Sequence, residues 1–266
     1  MILSGGTSIH AQSIGGGGGI GTFSGGGMAL GASNSFNVDA DVVTVSNNGR
    51  LASDNGTGII AQSIGGGGGV GSQALAASIA LGGTNTTGWG GDVNVTHTVG
   101  DINGNRGGIF AQSIGAGGGL AIGPANGVTL GGNDANGTGR AVTVTVTGGT
   151  SPVPTTINGQ TQAGIMAQSI GGGGGWSQGA DTGTTRLGGI DVSGANGRVV
   201  TVSTGAFNNI STFGANAYGM AGQSIGGGGG IANKDSAGGT VIFGADTGAV
   251  NNAGDVCRRS TNCPIK

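Results

Sequence analysis

Residues able to do chemistry are few and scattered in this 266-residue chain: two histidines, 11 acidic residues that are all Asp, and 9 basic ones. Cleaving a glycosidic bond by acid/base catalysis takes carboxyl or basic groups clustered on one bond. Asp39 and Asp41, Asp92, and Asp191 instead precede valine-rich stretches or their approach, where a carboxylate serves a turn through its hydrogen bonds. His97 follows Val93-Asn94-Val95-Thr96 on the inward parity or at the strand's end, a turn histidine rather than a base, and His10 is the only other. Calcium-binding glycine repeats carry Asp at a fixed phase, which GGNDANG at 131–137 and GGIDVSG at 188–194 do not match. Cys257 and Cys263, in CRRSTNC, lack the His or second Cys pair of a zinc site; they read either as a local disulfide of an oxidising compartment or as two free thiols. Glycine strings match GxGxxG trivially, without the strand-then-helix context of a dinucleotide site, and no GxxxxGK[ST] occurs. No catalytic residue, metal ligand or cofactor is assigned, and an enzyme is not expected; a carbohydrate-active β-helix stays as a rival.

Two surface readings remain. Trp89 and Trp176 lie among glycines and suit either a platform for stacking sugars or, the favoured reading, a cap on the apolar stripe at a turn. Thr44, Ser46, Thr96, Thr143, Thr145, Thr201 and Ser203 resemble the hydroxyl ladders of ice-binding solenoids, although Asn94 and a wide unit spacing interrupt them. The formal net charge is −2 with no basic stripe, so nucleic acid is not an expected partner. No apolar run approaches the roughly 18 residues of a membrane helix, and MILSGGTSIHAQSIGG is not expected to act as an export leader.

The elements that position these residues repeat. AQSIGGGGG stands at 11–19, 61–69 and 167–175, with AQSIGAGGG at 111–119 and GQSIGGGGG at 222–230. Its glutamines, Gln12, Gln62, Gln112, Gln168 and Gln223, are 50, 50, 56 and 55 residues apart, a period typical of solenoids and arrays. Leu30, Leu81, Leu130, Leu187 and Phe243, each before a Gly, keep step with them. So do Val43-Thr44-Val45, Val93-Asn94-Val95, Val142-Thr143-Val144 and Val200-Thr201-Val202, whose alternation predicts strands with valine buried and the polar residue outward. Three short strands per unit are expected. Asn47-Asn48-Gly49, Asn103-Gly104 and Asn158-Gly159 read as turns, and the extra length of the third unit falls in SPVPTT, where Pro152 and Pro154 disfavour a central strand.

With 69 glycines and nine aromatic residues, no long helix or bulky core is available. An all-β, elongated parallel β-solenoid with in-register polyglycine segments and a repeat of about 50 residues needs neither. Two coils of roughly 25 residues per unit are favoured over one large coil. Solenoid is expected over 1–245, and a tail or partial cap bearing the two cysteines over 246–266. Because the first motif begins by residue 11, the chain reads as a segment of a longer array. If Ile64 points inward, Gln62 does too, and a ladder of glutamine amides along the stack would satisfy it, in direct contact only if a unit is one coil. The glycine runs are expected to extend like polyproline II and to bond sideways to their neighbours, against the alternative of flexible surface loops.

GIIAQSIGGGGG at 58–69, GIFAQSIGAGGG at 108–119 and GIMAQSIGGGGG at 164–175, each preceded by a V-x-V stretch, resemble the glycine-rich repeats in passenger regions of large bacterial autotransporters of type V secretion. The likeness runs over nearly the whole chain and weakens after residue 245. It implies a β-helical stalk exported through an outer-membrane barrel and exposed at the bacterial cell surface. That stalk would adhere to an unidentified surface or host ligand, or aggregate cells, without catalytic residues. The alternatives are a self-associating structural fibre and, less favoured, the carbohydrate-active or ice-binding solenoid.

Overall fold

A computed structural model describes residues 1–73, 77–123, 125–150, 153–179, 183–189, 192, 194–215, 217–234, 240–244, 253 and 256–259. Every regular element among them is a strand, and no helix is long and apolar enough to cross a membrane. The strands belong to five parallel sheets of five strands each, and every sheet takes one strand from each repeat. The first sheet holds Ile2–Ser4, Leu51–Ser53, Ile102–Gly104, Thr155–Gly159 and Asn208–Thr212. The glutamine sheet holds Ile9–Ile14, Thr57–Ile64, Gly107–Ile114, Ala163–Ile170 and Tyr218–Ile225. Next come the glycine sheet, Gly18–Phe23, Gly68–Gln73, Gly118–Ile122, Gly174–Gly179 and Gly229–Lys234, and the leucine sheet, Met28–Leu30, Ala77–Leu81, Ala125–Leu130, Thr185–Leu187 and Val241–Phe243. The valine sheet holds Val43–Asn47, Val93–His97, Val142–Val146, Val200–Thr204 and Val256–Arg259.

Gln12 pairs with Gln62, Gln62 with Gln112, Gln112 with Gln168 and Gln168 with Gln223, so one repeat is one coil of five strands. This corrects both the two-coil unit and the three strands expected from the sequence. Axial advance is therefore about 4.8 Å per repeat, half what two coils would give, and this stretch of chain is a wide, short stack.

Width comes from layering. Valine and first sheets pack Val93, Val95, Leu51 and Ile102 against Ile59 and Ala61 on one face of the glutamine sheet. The opposite face sets Ile60, Phe110 and Met166 against Val70, Leu120 and Trp176 of the glycine sheet. Ala121, on that sheet's far side, meets Ile79, Leu81, Leu130 and Leu187 of the leucine sheet. The glutamine strand thus has no outer face: from Thr57 to Ile64 every residue is buried. The valine strands do behave as their alternation predicts, with Val93 and Val95 buried and Asn94 and Thr96 partly exposed.

Local details follow from this frame. The strand Thr155–Gly159 begins directly after Pro154, and Val153 before it is exposed. Asn103-Gly104 and Asn158-Gly159 do not turn, as the sequence suggested; they lie inside first-sheet strands, where Asn158 Nδ2 donates to Asn103 Oδ1 at 2.6 Å. In the C-terminal segment, Val256–Arg259 adds a strand beside Val200–Thr204.

Candidate functional site

The AQSIGGGGG motif is the structural centre of every coil, and each of its residues has a separate task. Ala61, small and fully buried, fits against the valine sheet. Gln62 lies on the opposite face, and its side-chain amide belongs to an unbroken ladder. Gln12 Nε2 donates to Gln62 Oε1, Gln62 to Gln112, Gln112 to Gln168 and Gln168 to Gln223, each at 2.6 Å. The ladder expected from the sequence exists, in the direct form that only a one-coil repeat permits. Ser63 returns to the first face, where its Oγ donates to the Asp41 carbonyl at 2.8 Å and accepts from the Gly91 N–H at 2.7 Å, pinning the connection between leucine and valine sheets. Ile64, Ile114 and Ile170 stack on their own copies.

The glycines then reverse the chain into the next sheet. Gly66 and Gly67 have φ of +73° and +91°, and Gly68 and Gly69 both sit at +135°, a region closed to most side chains. The run is therefore not polyproline II, which needs φ near −75°. It is nonetheless hydrogen-bonded from coil to coil as the ordered reading requires: Gly68 N–H donates to Gly17, Gly118 to Gly67 and Gly174 to Gly117, each at 3.2 Å. A Cβ on Gly68 would overlap the Gly118 carbonyl of the coil on one side, and a Cβ on Gly69 the Gly19 carbonyl on the other.

The isolated chemical residues are placed one by one. His97 is buried at the end of its strand, accepting on Nδ1 from Asn47 Nδ2 at 2.9 Å and donating from Nε2 to the Gly100 carbonyl, a structural histidine with both ring nitrogens engaged. His10 occupies the register position of Ile60 on the first coil; its Nε2 is buried without a partner, and burial lowers its pKa below the usual value. Asp39 Oδ1 accepts the Trp89 N–H at 2.7 Å and Asp92 Oδ1 the Ala141 N–H at 3.1 Å, so both carboxylates tie one coil to the next. Asp191, Pro152, Cys263 and the Cys257 side chain lie outside the described residues. The outward hydroxyls align in register across coils, Ser46 with Thr96, Thr145 and Ser203, and Thr44 with Asn94, Thr143 and Thr201, so a one-coil repeat closes the wide spacing expected between them.

The two tryptophans part company, and neither caps the apolar stripe at a turn. Trp176 sits inside a glycine-sheet strand, fully buried, edge-on to Phe110 at 5.5 Å and to Tyr218 at 6.3 Å. Trp89 lies on the connection before the valine sheet and is 49% exposed. The Arg140 guanidinium covers its ring at 4.7 Å from the centroid. Together with Asp41, Gly90, Gly91 and Asp92 they line a groove of about 260 Å³ on the flank of the stack. Sequence reasoning passed over Arg140, whose signal was its phase: it stands one coil beyond Gly91, beside Trp89. Compared with known protein families, curated proteins and solved structures, the chain gives no match.

Proposed function

We propose that the chain is a non-catalytic stalk or adhesin segment of a bacterial autotransporter passenger, displayed at the cell surface to mediate attachment or cell aggregation. One observation carries this reading: all five sheets run continuously from coil to coil, in register but for one bulge between Ala125 and Gly127, reinforced by the glutamine ladder and the glycine bonds. A load along the axis is shared by many parallel hydrogen bonds per 4.8 Å step rather than concentrated on one. That suits a support that holds binding surfaces away from a cell under drag, and weak contacts repeated along it add through multivalency. The resemblance of the AQSIGGGGG units to autotransporter passenger repeats supports the same reading. Antibody against the chain should label intact producing cells and lose that label on protease shaving; label seen only after permeabilisation would overturn the proposal.

A self-associating fibre is the second reading. It is favoured by the sheets themselves, in which every strand pairs in parallel with a copy of its own motif and so could pair equally well with that motif from another chain. Concentration-dependent filaments in electron micrographs would support it, and discrete particles would favour the stalk.

A further inference from the structure

We propose that the groove at Trp89 binds a neutral glycan. The repeat itself provides the first reason. Equivalent positions in the other coils hold Asp39, Thr138 and Asn196, so the fold does not call for an indole there, and a half-open tryptophan is an exception to the pattern. The second reason is preorganisation. Arg140 lies over the ring, and Asp39 fixes the backbone N–H of Trp89, so the aromatic surface is held in place before any ligand arrives. A flat, fixed indole suits the C–H face of a pyranose, which has apolar patches between its hydroxyls.

The polar partners fit the same ligand. Asp41 and Asp92 are exposed on either side of the buried Gly90-Gly91 backbone, and carboxylates accept strongly from neighbouring hydroxyls. The connection that carries them is rigid because Ser63 and Ser113 bind its backbone: the Asp41 and Gly91 carbonyls accept from them at 2.8 Å each. Charge selects among sugars. Asp39, Asp41 and Asp92 face one guanidinium, that of Arg140, so sulfated, phosphorylated or sialylated chains are repelled and neutral ones are not. At about 260 Å³ the groove is smaller than a site that encloses a drug-sized molecule, and it grips a short stretch of a longer chain lying along the flank.

Naming this ligand class rests on the adhesin reading, yet its test is separate. Trp176 is fully buried, so acrylamide reports the exposed Trp89. The full chain is titrated with a panel of neutral hexose and N-acetylhexosamine oligosaccharides, with sialylated and sulfated counterparts as controls. At least one neutral member is expected to shield Trp89 from quenching, the charged counterparts needing about tenfold more or failing. Read by titration calorimetry, which needs no tryptophan reporter, Trp89→Ala is expected to weaken binding at least about tenfold on the same panel, Trp89→Phe to retain part of it, and Asp41→Asn to weaken it several-fold, all with unchanged circular dichroism. The proposal is overturned if no neutral oligosaccharide protects Trp89 at millimolar concentration, or if Trp89→Ala binds as the parent does. Shielding by sugar in a chain found only inside cells would sink the adhesin reading and leave the groove; surface display without shielding would do the reverse.

Discussion

A single glutamine in this stack has two neighbours to satisfy, and the consequence depends on where in the ladder it stands. Gln112 accepts from Gln62 and donates to Gln168, and all three are fully buried. Gln112→Leu would strand one buried donor and one buried acceptor, which costs about 2–5 kcal/mol. Gln12→Leu strands only one group, the Gln62 acceptor, beside the partly exposed position 12, for about 1–2 kcal/mol. Urea midpoints should rank the two variants in that order, and equal losses would mean that the amides are satisfied some other way. His10 makes the opposite kind of test, because it breaks the apolar column that Ile60, Phe110 and Met166 continue. Burial lowers its pKa, so below about pH 6.5 the unfolded chain takes up a proton that the folded chain resists. The stability due to the neutral ring is complete above that pH and is lost as pH falls toward the lowered value. His10→Ile removes the dependence. Its advantage in urea midpoint over the parent should widen between about pH 7 and pH 5 and stay flat above; a constant difference would contradict the assignment.

At the scale of elements, glycine is a requirement of contact between coils more than of flexibility. Gly69→Ala meets both a positive φ and the carbonyl of Gly19, so a loss above about 3 kcal/mol or outright failure to fold is expected. Gly219→Ala meets nothing within 4 Å among the described residues and should fall within about 1 kcal/mol of the parent. Hydrogen exchange gives the same contrast without mutation: amides of Gly68, Gly118 and Gly174 should be slow, where a floppy linker would exchange freely. Much of this was legible in the chain. The V-x-V alternation marked strands with one wet face, and the recurring Leu30, Leu81, Leu130 and Leu187 marked the ends of leucine-sheet strands. The glutamine strand was harder, since AQSI alternates in no useful way when both faces are buried and each polar side chain is paired with a copy or a connection far away in sequence. Ile102-Asn103-Gly104 was missed as a strand because its turn-forming residues are overruled by parallel partners on both sides. At Trp89, the aromatic was visible as a candidate, but its exposure and the Arg140 stack depend on a coil size that periodicity alone left open.

For the whole molecule, the question of coil size has a direct physical test, because a solenoid tolerates the loss of whole turns and nothing else. Ile64 pairs with Ile114, so excising 65–114 joins one coil to the next with every sheet still in phase. Each sheet would then have four strands, and each buried column would lose one member while keeping its contacts above and below. The shortened chain should show the parent's circular dichroism per residue, and its urea m-value should fall roughly in proportion to the surface removed. Its midpoint should fall too, since nearest-neighbour interfaces supply much of the stability and one is gone. Excising half as much, 65–89, would join Ile64 to Gly90, sending the glutamine strand straight into the valine sheet. That would delete the glycine and leucine strands from one coil and open both of their cores. Equal tolerance of the two deletions, or better tolerance of the shorter one, would mean that the stacking unit is the half-length module. The glutamine ladder would then have to bridge about 9.6 Å, a gap no direct amide bond can span.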